Sequence, residues 1–223
     1  MNWTDEGYLL SKNNYDENSI IIDTFTLNHG RFSGIVYGGS SRKQKRNFQI
    51  GNKLFINWKS KGENRPGYFN IELINPIAPL FFDERKKSTS ILSAASILKI
   101  LLPDRQINKK IYNSFENMLN HLKDDNWILL YIHWELSLIK ELGYEIDFLN
   151  LKNIDFYNQN SIKINNKTLK IPIIFLNNQI KKNQNKEIYE ALIFNKNLLL
   201  ENFILPNNLK FPLFRNLLES YYN

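Results

Sequence analysis

The sequence predicts an α+β chain: a small all-β domain over residues 1–79, then an all-helical domain over residues 80–223. Three observations predict it. Up to about Pro79, short segments rich in β-branched and aromatic residues recur between turn signals, with no long helical pattern. Beyond "NPIAP", Asn75 to Pro79, the apolar residues recur at helical spacing. The 223 residues are 43% apolar and 23% charged, a globular composition with enough length for one large core or two small ones.

The strands come first. "YLLSKNN" and "NSIIIDTFTL" precede "NHG", a turn signal in which Gly30 supplies a positive φ. "RFSGIVYGG" follows, then a basic loop. "KLFINWKS" alternates, with Leu54, Ile56 and Trp58 on one face. "GYFNIELI" alternates too, with Phe69, Ile71 and Leu73 inward. Five short strands in about eighty residues, joined by glycine-rich turns, suggest a small sandwich or barrel. A five-stranded oligonucleotide-binding (OB) barrel is one such solution.

The helices are expected at roughly 88–102, 107–123, 125–142, 186–203 and 212–222. Pro103 ends the first, and Gly143 ends the third as its C′ residue. Residues 144–184 read as an irregular, polar insertion. Within it, "SIKINNKTLKI" is a plausible hairpin turning at "NN". No internal repeat and no low-complexity linker is visible.

Several function classes are disfavoured. Cysteine is absent, which removes disulfides, thiolate zinc sites and a cysteine nucleophile. The N-terminus lacks a basic region followed by an apolar core, so no secretory signal is expected. The longest greasy stretch, "ILSAASILKILL", is too short to span a bilayer and carries Lys99. Neither phosphate-cradling glycine motif, G-x-x-x-x-G-K-[ST] or G-x-G-x-x-G, is present. His29 reads as a turn residue and His121 as a solvent-facing residue in a last helical turn. His133 and Glu135, two apart, point to different helix faces. No cofactor, no metal and no catalytic residue is expected, and the chain is not read as an enzyme.

Two features stand out. The net charge is +7, and from Arg31 to Arg65 nine basic residues face Glu63 alone, so the rest of the chain is about neutral. Such a local excess suits an anionic partner: nucleic acid, a membrane surface or an acidic peptide. A solvated loop kept soluble by charge would look the same. Glu135 falls within the apolar stripe of the third helix. A carboxylate there must be paired or hydrogen-bonded, or its pKa must rise.

The pattern "DEGYLLSKNNYDENSIIIDTFTLNHGRFSGIVYGG", followed by a basic run, resembles the start of the RecO family of bacterial recombination mediators. "WELSLIKELGYEIDF" is similar to the family's helix-plus-glycine signature. "LPNNLKFPLFRNLLESY" is similar to its proline-then-arginine C-terminal helix. The resemblance is collinear over nearly the whole chain. It implies an OB barrel followed by a helical domain, and a cytoplasmic, nucleoid-associated protein of bacteria acting in DNA repair. It implies binding to single- and double-stranded DNA, annealing of complementary strands and help in loading recombinase. It also implies partnership with RecR and with the single-stranded-DNA-binding protein, and no membrane. Two departures matter. Many members carry a four-cysteine zinc site where this chain has "LKNIDFYNQNSIKINNKTLKI", so no zinc is expected. The position before Gly38–Gly39, often basic in the family, is Tyr37.

The expected DNA-binding residues are Arg31, Tyr37, Arg42, Lys43, Lys45, Arg46, Lys59, Lys61 and Arg65. The basic residues would track phosphates, and Tyr37 and Tyr68 are the better stacking candidates among Phe48, Phe55, Trp58 and Phe69. The resemblance and "FPLFRNLLESYY" together point to Leu213, Phe214, Arg215 and Leu217 as a docking pocket for that protein's acidic tail. Two other readings stay open: an RNA-binding barrel, and a module whose basic loop receives an acidic peptide.

Overall fold

The computed structural model describes residues 2–41, 44–60, 67–144, 146, 161–165, 167–176 and 185–223, without the side chains of Lys45 and Leu176. Five strands open the chain: β1 (Asn2–Asn14), β2 (Ser19–Thr26), β3 (Gly30–Tyr37), β4 (Lys53–Lys59) and β5 (Tyr68–Asn75). They close into a barrel in the order β1-β2-β3-β5-β4. The neighbours run antiparallel except β3 and β5, which meet in parallel at Ile35 and Tyr68. This is a five-stranded OB-type barrel, and with the helices that follow the chain is α+β.

The alternation read from the sequence sets the core. Leu54, Ile56, Trp58 and Phe69 point inward with Leu9, Ile20, Ile22, Val36 and Phe48. β1 starts earlier than expected, at Asn2, because Trp3 pairs opposite Trp58 and Asp5 opposite Ile56. A bulge after Leu9 shifts its register against β2, so Tyr8, Leu9 and Leu10 are all buried. Phe48 is buried and belongs to this core rather than to a surface.

Contacts divide the chain into Met1–Asn113 and Ser114–Asn223. The boundary expected at Pro79 thus falls inside the first unit, because α1 (Arg85–Leu101) packs on β1. Ser93, Ala94 and Ala95 are buried on that helix, and their small side chains permit a close approach. Lys99 reaches the barrel wall, 2.9 Å from both Asp23 Oδ2 and Ser11 Oγ. Asp23 also accepts from Ser11 Oγ at 2.5 Å and from Ser33 Oγ.

The division falls within α2 (Lys109–Asn120), and the second unit goes on to α3 (Trp127–Glu141), the hairpin β6 (Ser161–Ile164) and β7 (Lys167–Lys170), and α4 (Ile173–Leu176). α5 (Asn185–Leu199) runs on as a π-helical segment, Leu200–Ile204, before α6 (Leu213–Ser220). The hairpin turns where expected, with Asn165 at φ +51°. Gly143, at φ +103°, ends α3 in a Schellman motif. Tyr144 N–H donates to Ile139 O at 3.1 Å and Gly143 N–H to Lys140 O at 2.9 Å.

Candidate nucleic-acid interface

The exposed face of β4 and β5 follows from their period of two. Lys59 stands opposite Tyr68, and Phe55 opposite Glu72, on the outer side of the barrel. Tyr37, at the end of β3, is 67% exposed. Because β3 and β5 run together at Ile35, its ring comes to 6.1 Å from that of Tyr68, tilted by 51°. The two tyrosines singled out for stacking therefore stand side by side, with the exposed Lys59 next in register. Lys59 has no ionic partner among the described residues.

The basic loop begins beside this pair. Gly38 turns the chain at φ +71°, and Ser40 is tied to the β1–β2 turn by Ser40 Oγ donating to Glu17 O at 2.9 Å. The segment Gln44–Arg46 forms one 3₁₀ turn, and then Phe48 enters the core. Lys12 Nζ donates to Phe48 O at 2.5 Å and pins that end. The loop is thus anchored at both ends, and Arg46 is exposed between them. Arg42, Lys43, Lys61, Arg65 and the Lys45 side chain lie outside the described residues.

Arg31 differs from the expectation. Its Nε donates to Leu102 O at 2.8 Å and its guanidinium lies 2.8 Å from Asp104 Oδ1. Its own carbonyl accepts from Arg105 N–H at 2.8 Å. Arg31 sits on the strand that pairs with the α1–α2 connection, so its charge is spent on the carbonyl of Leu102, the C-cap residue of α1, and on Asp104.

Arg215 requires a correction. It is fully buried and cannot meet an incoming carboxylate. Its Nε lies 2.5 Å from Glu135 Oε1, and its Nη2 donates to Glu135 Oε2 at 3.1 Å and to Leu192 O at 2.7 Å. This is the partner that Glu135 needed. Tyr131 Oη donates to Glu135 Oε1 at 2.9 Å and Asn195 Nδ2 to Oε2 at 3.1 Å. Burial works against the Arg215 charge, but the neighbouring carboxylates raise its pKa further above the ordinary guanidinium value. On the same helix Leu213, Phe214 and Leu217 are exposed, Leu213 by 81%.

Sequence reasoning missed a cluster around the β2–β3 turn. His29 stacks on Trp3 at 4.1 Å and 9°, and its Nδ1 donates to Asp5 Oδ2 at 2.8 Å. Asp5 is buried, which would raise its pKa. The bonds from His29, from Asn28 N–H and side chain and from Glu6 N–H outweigh that and hold it below the usual carboxylate value. The sequence carries no period that would find it: "NWTDE" is polar around Trp3, and only its pairing with β4 makes it a strand.

The family model for the N-terminal part of recombination protein O matches residues 1–77, and that for its C-terminal part matches residues 83–150. The chain belongs to the RecO family. It is 34% identical over 148 residues to a protein of Ruegeria sp. (strain TM1040) named DNA repair protein RecO, covering 66% of this chain and 61% of that one. A Wolbachia protein of the same name (strain wRi, subsp. Drosophila simulans) is 34% identical over 149 residues, with the same coverage. A Cereibacter sphaeroides protein (strain ATCC 17029) so named is 33% identical over 147 residues. The chain thus spans about three-fifths of the length of the curated relatives it matches. No helix among the described residues is long and apolar enough to cross a membrane.

Proposed function

We propose that this chain is a DNA-binding recombination mediator in DNA repair, working by binding and not as an enzyme. It holds single- and double-stranded DNA on the barrel, anneals complementary strands and helps load recombinase onto strands coated by the single-stranded-DNA-binding protein. The observation that carries this reading is the Tyr37–Tyr68 pair beside Lys59 and the basic loop, on an OB-type barrel of a RecO family member. Paired aromatic faces accept successive bases without choosing among them, and flanking cations track the phosphates. Such binding needs no nucleotide cofactor. RecR is the second proposed partner, and the bacterial cytoplasm, at the nucleoid, the proposed location.

The exposed Leu213, Phe214 and Leu217 support a docking ridge for the apolar end of that binding protein's tail. The counter-charge for its acidic residues must come from groups other than Arg215.

Stacking is tested by replacing Tyr37 and Tyr68 by Ala, singly. Each change should weaken binding of a short single-stranded oligonucleotide by about 1–3 kcal/mol with little change in its salt dependence. Parental affinity in both variants would contradict the stacking role. Competition between DNA and RNA of one sequence separates the DNA reading from an RNA-binding one.

A further inference from the structure

We infer that the mouth of the barrel carries a second nucleotide subsite, in which a base stacks on His29 and Arg105 takes the adjoining phosphate. This rests on the reading of the barrel as a strand-binding domain and extends it to residues outside the Tyr37–Tyr68 face.

Three rings form one parallel stack. Trp58, 5% exposed, is anchored in the core; Trp3 lies on it at 5.6 Å and 15°; His29 lies on Trp3 at 4.1 Å and 9°. The His29 side chain, 30% exposed, is the outer end of this stack. Its ring cannot turn freely, because Nδ1 is held by Asp5 and Asp5 is held in turn by Asn28 and Glu6. Phe32 closes the side of the stack, edge-on to Trp3 at 5.0 Å, to Trp58 at 5.5 Å and to His29 at 6.4 Å. A pre-ordered aromatic surface with one end open to solvent can receive one more flat ring at small entropic cost.

The cation is supplied by an independent device. Arg105 is exposed and its guanidinium lies over the Phe32 ring, 5.4 Å from the centroid. Its backbone is fixed at φ +60° by the hydrogen bond from its N–H to Arg31 O. The neighbouring carboxylate, Asp104, is already taken by Arg31. Arg105 therefore has no carboxylate partner among the described residues and stands beside the stack as a free charge. A flat ring and a guanidinium that both border Phe32 match the base and phosphate of one nucleotide.

The test uses the full chain and a short oligothymidylate, titrated across a salt series. Arg105→Ala should make the log–log salt slope shallower by about 0.7, with an unchanged thermal melt. His29→Ala should weaken binding roughly 5- to 150-fold at an unchanged slope. His29→Phe keeps a stacking face but loses the bond to Asp5, and should stay close to parental affinity. It decides the matter if His29→Ala melts early. Tyr37→Ala is measured alongside. If Tyr37→Ala weakens binding while folded His29 or Arg105 variants keep the parental affinity and slope, the subsite is overturned and the barrel reading stands. If His29→Phe is as weak as His29→Ala in a folded protein, stacking on this ring is overturned. If the parent binds no oligothymidylate, both readings fall.

Discussion

Asp23 concentrates three bonds on one buried carboxylate. Burial raises its pKa, yet Ser11, Ser33 and Lys99 together hold it below the usual value. Asp5 is lowered in the same sense. A carboxylate whose folded pKa is depressed contributes stability that is present above its unfolded pKa of about 3.9 and is lost as pH falls through the folded value. The urea midpoint should therefore fall as the solution is acidified below about pH 4. Asp23→Asn should lower stability at neutral pH by about 2 kcal/mol and flatten that acid limb. An unaltered acid limb would remove Asp23 from the linkage. The Glu135–Arg215 pair is the second test at this scale. Arg215→Ala leaves a buried carboxylate without its cation and should cost about 3–5 kcal/mol, read from denaturant midpoints. Replacing both residues by apolar ones should cost much less than the sum of the single changes; additive losses would contradict the coupling. That Glu135 needed a partner was legible, because a carboxylate interrupted an apolar stripe. Which residue answers it was not legible. Arg215 lies 80 positions along the chain, and periodicity carries no information across that separation.

At the scale of elements, period and punctuation were informative and coverage was not. Alternation alone predicts Leu54, Ile56 and Trp58 inward, where they lie, and Gly143 ends α3 as a glycine at C′ should. The early start of β1 escaped because "NWTDE" is polar by composition, and only its pairing with β4 makes it a strand. Likewise the sequence predicts one helix to Phe203, whereas α5 runs on from Leu199 into a π-helical segment, Leu200–Ile204. The β2–β3 turn offers a sharp test. Gly30 sits at φ +75°, and a Cβ there would stand 2.1 Å from Gln106 O. Both the backbone angle and the approach of the α1–α2 connection exclude a side chain. Gly30→Ala should therefore destabilise the protein by at least about 2 kcal/mol, measured by thermal or urea unfolding. A variant as stable as the parent would show that the turn has room the geometry denies.

On the scale of the whole molecule, the uneven charge was the most informative property of the sequence. The excess between Arg31 and Arg65 pointed to an anionic partner before any element was assigned. What composition could not tell was which charges are free. Arg31 is consumed by Leu102 and Asp104, while Arg105, outside the basic stretch, stands free of any carboxylate among the described residues. The most direct test of the barrel as a strand-binding surface is a salt series on the variant with Arg42, Lys43, Lys45 and Arg46 all replaced by Ala. Each phosphate neutralised on a single strand contributes about −0.7 to the log–log slope of affinity against salt. The expected result is weaker binding at low salt and a slope shallower by about 3 units, with folding unchanged. The parental slope and affinity in this variant would contradict it, leaving the basic run as a solvated connection.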